Sequence, residues 1–335
     1  MGLIVRIALL IVCAASAAAI DPQSLAAAAA YSKHQRGAAL LVIQNGKTLL
    51  EEYPDGEGPG AARRIYSGTK AFWNLAALGA AEDGLLNLDE PIAKTITTWQ
   101  ADPRKSRITI RQLLDFSAGL EPAFYIQNTQ AIDRDSIALS CRVLGEPGTL
   151  FTYGPSGLQV FYEALKAKLK GESPTHFLER RVLSRLGFGT QRYLPDRRGN
   201  PLLATGFAFS ARQWAKVGRL VLADGSPVVS PAMLAQTWRG SPANRAFAFG
   251  WWNNRAAPSG VEVDFERALD RKSQNWNGAC LCRDAPSDLV ACIGSLGQRL
   301  YVSASLELLV VRQANGGSFS DAQFLRLLLG RARQE

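Results

Sequence analysis

Ser67 stands three residues before Lys70 in the run Tyr-Ser-Gly-Thr-Lys-Ala-Phe, and it is the one serine of the chain with that spacing. A serine hydroxyl is a weak nucleophile until a base takes its proton. A lysine that loses water on burial loses pKa as well and becomes such a base. Residues three apart share one face of a helix, so an element starting at Ser67 brings the amine to the hydroxyl. Helical spacing of Phe72, Leu75, Ala76, Leu78 and Ala81, ending at Asp83-Gly84, predicts that element. The helix N-terminus also favours negative charge developing at Ser67. By itself the pair is weak, because Ser-x-x-Lys arises by chance about once in a chain of this length. A helix cap followed by a solvated lysine is the bland alternative.

Other nucleophilic arrangements are poorly supplied. The chain has two histidines, His34 in a polar segment and His176 in a helical pattern around Thr175–Leu186. A Ser-His-Asp device and a zinc site are therefore both disfavoured. Gly154-Pro155-Ser156-Gly157 suggests a nucleophile elbow, but the required second glycine would fall at Leu158. Ser156 is better read as the cap of a helix running to about Lys170. No cofactor motif and no metal-ligand spacing is present.

The order of segments around Ser67 resembles the serine β-lactamase and penicillin-binding-protein-like superfamily, its class C β-lactamase and related esterase branch in particular. The resemblance is carried by Ser67-x-x-Lys70, Asp83-Gly84-Leu85-Leu86-Asn87-Leu88-Asp89-Glu90-Pro91 and Ile108–Leu120. It continues through Pro147-Gly148 to Phe151-Thr152-Tyr153, Ala208–Trp214, Phe249-Gly250-Trp251-Trp252 and Gly294-Ser295-Leu296-Gly297-Gln298. It spans about residues 35–330. The likeness implies that Ser67 is acylated, that Lys70 takes or relays its proton, and that Tyr153 passes a proton to the leaving group through its hydroxyl or phenolate. It implies an oxyanion hole from the Ser67 N–H and a strand donor at Gln298. Gly297, Ser295, Trp251 and Arg299 are then expected around the substrate. The family's second motif usually ends in Asn where this chain has Pro155, and its third reads Lys- or His-Thr-Gly where Ser295-Leu296-Gly297 is expected to stand. Small esters or amides are accordingly expected before β-lactams or D-alanyl peptides. The alternatives are a β-lactamase or D,D-peptidase, and a catalytically silent ligand-binding module.

The elements that must position these residues read as an α/β chain of α+β type. A hairpin Ala38–Gln44 and Lys47–Tyr53 turns at Asn45-Gly46, and late strands are expected at Leu289–Ile293, Arg299–Val302 and Leu306–Arg312. Strands at both ends form one antiparallel sheet flanked by helices, with a helix-rich region over about 90–225. Thr109-x-x-Gln112 and Ser210-x-x-Gln213 read as capping boxes, and Ser320–Arg333 as a closing amphipathic helix. Residues 1–19 read as a secretory signal peptide, with Arg6, the apolar run Ile7–Val12 and Ala17-Ala18-Ala19, leaving 20–335 as a single hydrolase domain. No later stretch is apolar for long enough to anchor it in a membrane, so a periplasmic or secreted bacterial protein is expected. The net charge of +9 is scattered and accompanies no nucleic-acid motif. The expected partner is a small ester, amide or β-lactam-like substrate. Cys141, Cys280, Cys282 and Cys292 remain after the leader, and an exported chain with four cysteines predicts at least one disulfide. A hairpin of Ala279–Arg283 with Leu289–Ile293 would bring Cys280 to Cys292. The polar stretch Asn253–Asn277 reads as a mobile loop near the site.

Overall fold

A computed structural model describes residues 19–128, 130, 133–255, 260–268 and 276–331. The expected leader therefore lies, but for Ala19, outside the described residues. So does much of the Asn253–Asn277 stretch. Among the described residues no helix is long and apolar enough to cross a membrane.

Helix α1 (Pro22–His34) starts where Asp21 accepts the Ser24 N–H at 2.9 Å and Pro22 presets the first turn. Strands β1 (Gly37–Gln44) and β2 (Lys47–Glu52) form the expected hairpin. Asn45 and Gly46 both have positive φ, 49° and 72°, as a tight hairpin turn requires. The remaining sheet strands are β3 (Phe247–Ala248), β4 (Trp251–Asn253), β5 (Val290–Gly294), β6 (Gln298–Ser303) and β7 (Leu308–Ala314). Among the described residues seven strands make one antiparallel sheet in the order β2-β1-β7-β6-β5-β4-β3. The chain's two ends meet in it, because β1 pairs with β7.

Successive strand residues point to opposite faces, and β6 shows what covers each. Leu300 points towards α4 (Ala211–Leu222), which comes so close that a Cβ on Gly218 would lie 3.1 Å from Leu300 Cδ1. Tyr301 points the other way and stacks on Phe324 of α5 (Asp321–Leu328) at 5.9 Å. β5, β6 and β7 are buried along their whole length, which fits strands with helices on both faces. Both capping boxes form, at Thr109 and at Ser210. Helix α3 (Ser156–Lys168) belongs to the helical middle of the chain. Ser156 does not cap it, since its hydroxyl donates to the Glu121 carbonyl at 2.6 Å and Pro155 occupies the cap.

The expected Cys280–Cys292 hairpin does not form. β5 has β6 on one side and β4 on the other, so neither edge is open to Ala279–Cys280. That segment instead runs parallel to Val261–Glu262. Cys141, Cys280, Cys282 and Cys292 are all buried free thiols.

Arg299 also departs from expectation. It is fully buried on the α5 face, its Nε donating to Asp321 at 2.7 Å and its Nη2 to Glu266 at 2.9 Å. Its Nη1 donates to the carbonyls of Gly294 and Gln298. A guanidinium saturated in this way binds no substrate. Asp321→Ala removes its buried carboxylate partner and leaves only the partly exposed Glu266, and we expect a loss of about 3–5 kcal/mol in urea unfolding. The double change Arg299→Met with Asp321→Leu should recover most of that loss, because an apolar pair of similar volume removes the unpaired charge.

Candidate active site

Ser67 sits in a 3-10 turn, Tyr66–Thr69, and α2 (Lys70–Glu82) begins only at Lys70. The spacing still delivers the amine: Lys70 Nζ lies 2.9 Å from Ser67 Oγ and donates to the Ala204 carbonyl at 2.9 Å. Tyr66, just before Ser67, has φ of 45°, a left-handed conformation that strains a non-glycine residue by about 1 kcal/mol or more. Tight packing holds the turn there. A Cβ on Gly68 would meet the Trp214 ring at 2.9 Å, so no larger residue fits between Ser67 and Thr69. Thr69 Oγ1 accepts the Phe207 N–H at 3.2 Å, and Asn74 donates to the Lys70 carbonyl at 2.8 Å.

Lys70 is 2 % exposed, and burial lowers its pKa to about 7. At neutral pH much of it is an uncharged amine with a lone pair. Tyr153 is buried too. Burial pushes its pKa above the usual phenol value, against the opposing effect of a hydrogen bond to Ser67. That direction favours the hydroxyl form of Tyr153 over the phenolate. Its ring lies 4.9 Å from Lys70 Nζ, centroid to nitrogen. Phe116 and Phe247 meet it edge-on at 5.3 Å and 5.7 Å, and Trp252 lies parallel to it at 6.1 Å. Phe151 and Trp276 extend this aromatic wall beside Trp252.

The strand beside Ser67 is β5, not the turn that follows it. A Cβ on Gly294 would fall 2.0 Å from the Ile65 carbonyl oxygen, and the Cys292 thiol donates to the Gly68 carbonyl at 3.5 Å. Cys292, which the sequence offered only as half of a disulfide, is thus a neighbour of the Ser67 turn. Burial raises its pKa to about 12, so it stays a neutral thiol. Ser295-Leu296-Gly297 forms the β5–β6 turn, with Leu296 and Gly297 at positive φ and their N–H groups donating to Glu266. Gly297 faces the Arg312 guanidinium, where a Cβ would lie 2.5 Å from Nη1. Gln298 is buried, and its side-chain amide donates to the Leu296 and Ala314 carbonyls. Gly297, Gln298 and Arg299 therefore build the hairpin, while exposed Ser295 follows Gly294 at the end of β5. Trp251 packs on Trp238 at 5.7 Å, leaving its neighbour Trp252 to meet Tyr153.

The Beta-lactamase family model matches residues 23–302. The chain belongs to the Beta-lactamase family. "Protein flp" of Staphylococcus aureus (strain N315) is 30% identical over 136 residues, covering 36% of this chain and 27% of that protein. This chain thus spans little more than a quarter of that curated relative. Among solved structures, a putative β-lactamase from Bacteroides dorei DSM 17855 superposes with a TM-score of 0.68 at 16% identity, covering 93% of this chain and 100% of that one. A family VIII carboxylesterase superposes with a TM-score of 0.62 at 16% identity, covering 93% and 97%. These likenesses show the β-lactamase/transpeptidase-like fold.

The depressed pKa of Lys70 has a sign that can be checked. Unfolded, the amine binds a proton below about 10.5; folded, it binds one only below about 7. Between these values the unfolded state holds more protons, so this group's contribution to stability falls as pH drops from about 10.5 to 7 and is level below. Lys70→Met should therefore raise stability at neutral pH, on the order of a few kcal/mol, and flatten that pH dependence in denaturant titrations.

Proposed function

We propose that this Beta-lactamase family member is a serine hydrolase of small esters with an apolar portion, working through an acyl-enzyme on Ser67. The observation that carries the reading is the 2.9 Å contact between Ser67 Oγ and a lysine amine whose burial lowers its pKa to about 7. Ser67 Oγ attacks the substrate carbonyl carbon while Lys70 Nζ takes its proton. The C=O π electrons move to oxygen, and the oxyanion lies between the Ser67 N–H and the Gly294–Ser295 end of β5, a region of donors that commonly contributes a few kcal/mol. As the intermediate collapses, the proton passes from Lys70 through the Tyr153 hydroxyl to the leaving alkoxide, which departs as an alcohol. Water then attacks the acyl-serine with the same pair as base, and the acid is released.

Two features favour esters over carboxylate-bearing β-lactams. Cys292, whose thiol donates to the Gly68 carbonyl in the turn of Ser67, is neutral, and Arg299 is tied to Asp321 and Glu266. Arg299, expected around the substrate, thus has no donor to spare for a carboxylate. The wall of Phe151, Trp252 and Trp276 suits an apolar acyl or alcohol group. Ester alkoxides also leave more readily than amines, which lightens the task of a neutral tyrosine.

Fluorophosphonate labelling, p-nitrophenyl butyrate and nitrocefin test the reading together. The label should map to Ser67 and vanish in Ser67→Ala, with esterase activity falling by orders of magnitude. Wild-type kcat/KM for the ester should rise with pH through about 7, since the base must be unprotonated. It should exceed the nitrocefin value by about a hundredfold or more, an estimate from lost polar contacts to the second substrate. Label on Ser156, or nitrocefin equal to the ester, would overturn the proposal.

Tyr153→Phe keeps every ring contact and deletes the hydroxyl. We expect kcat to fall about 10²–10⁴-fold with little change in Tm, because only the proton path is lost. An unchanged kcat would show that the leaving group is protonated by another route.

A further inference from the structure

Leu296 and Gly297 have φ of 62° and 79°, and their successive N–H groups converge on one carboxylate. Backbone donors arranged in this way form a concavity for an anion. Glu266 shows that this one accepts a carboxylate: its Oε1 takes the Leu296 N–H at 2.6 Å and its Oε2 the Gly297 N–H at 3.3 Å. Oε2 also accepts from Arg299 Nη2 at 2.9 Å. Glu266 belongs to the short helix Phe265–Ala268. Its neighbour Phe265 stacks on Trp252 at 4.1 Å, and Trp252 meets Tyr153. From the other side, the turn follows directly on Gly294, which packs against the Ile65 carbonyl two residues before Ser67. The Glu266 side chain is 28 % exposed, so the place it fills opens to solvent.

We propose that the Ser295–Gly297 turn is a carboxylate-binding site held closed by the chain's own Glu266, and that Glu266 thereby turns esters with a carboxylate beside the scissile bond away from Ser67. The exclusion rests on the hydrolase reading above; the site itself does not. In the wild-type protein an incoming carboxylate finds both N–H groups taken and meets the negative charge of Glu266. A neutral group of the same shape escapes that repulsion. With Glu266 truncated, the two N–H groups and Arg299 Nη2 face the opening, and a ligand carboxylate restores the same three contacts. Hydrogen bonds between a carboxylate and such donors are of the stronger, charge-assisted kind. Arg299 stays paired throughout, because Asp321 accepts from both its Nε and its Nη2.

The esters meta-carboxyphenyl butyrate and meta-carbamoylphenyl butyrate test the exclusion as a pair, since they differ mainly in the charge of one group. The wild-type protein should favour the neutral ester in kcat/KM by about tenfold or more, the effect of one like-charge contact. Glu266→Ala should raise the ratio of charged to neutral ester by about tenfold or more. Glu266→Gln removes the charge but keeps the shape and one acceptor oxygen, and should raise the ratio by a smaller factor. If Glu266 serves only to brace the hairpin, both rates fall together and the ratio stays fixed in both variants, which overturns the exclusion. Calorimetric titration with benzoate reads the site without catalysis. In a Ser67→Ala background, the added Glu266→Ala change should create saturable benzoate binding that the parent lacks. Benzoate bound equally by both proteins, or by neither, rejects the site. Benzoate binding gained with no hydrolysis of either ester by the Ser67 protein would leave the carboxylate site standing and overturn the hydrolase reading alone.

Discussion

An amine taken out of water beside a hydroxyl is the constraint on which this structure turns. Lys70 is dry because its neighbours on the first turns of α2, the apolar Ala71, Phe72, Trp73, Leu75 and Ala76 and the neutral Asn74, are all buried with it. An amine so placed cannot easily hold its proton. Ala204 supplies a carbonyl for one N–H, which fixes the direction of the side chain without adding a charge that would restore its pKa. Orientation and basicity are thus set by separate neighbours, one polar and neutral, the others apolar.

Two glycines bring the surrounding segments close enough to maintain that state. At Gly68 the Trp214 ring lies against the turn, and at Gly294 the Ile65 carbonyl lies against β5. Each contact excludes a Cβ, and together they press the strained Tyr66-Ser67 turn between α4 and the sheet. The Cys292 thiol adds a weak donor to the same turn. Strain at Tyr66 is held in place by packing that a looser core would not provide.

Strand alternation decides which side chains share a face: Trp252, Tyr301, Arg299 and Arg312 lie on one, Cys292, Leu300 and Asn253 on the other. On one face of β6 and β7, Arg299 and Arg312 are buried and fully engaged, Arg299 with Asp321 and Arg312 with Ser32, Gln35 and Gly297. They tie the two terminal helices to the strands and are remote in role from Ser67. On β4 the same alternation sends Trp252 to the aromatic wall around Tyr153 and Asn253 to the opposite face. One residue of register decides which side chain takes which face.

Much was legible in the chain itself. The Ser67–Lys70 spacing, the Asn45-Gly46 turn, the capping boxes at Thr109 and Ser210, and the β-rich ends are local signals, and each depends on neighbours within a few residues. They determined the order of elements and the meeting of the Ser67 hydroxyl with the Lys70 amine. What only the tertiary structure decided was everything set by approach across the sheet. Arg299 could not be known as a structural ion pair before Asp321 and Glu266 met it from distant segments. Cys280 and Cys292 looked like hairpin partners because the sequence does not show that β6 takes one edge of β5 and the distant β4 takes the other. Trp252 took the place given to Trp251 because strand direction, not residue type, chooses the face. The Lys70 pKa depends on how much water is excluded around it, and the sequence records residue types but not the distances at which they pack.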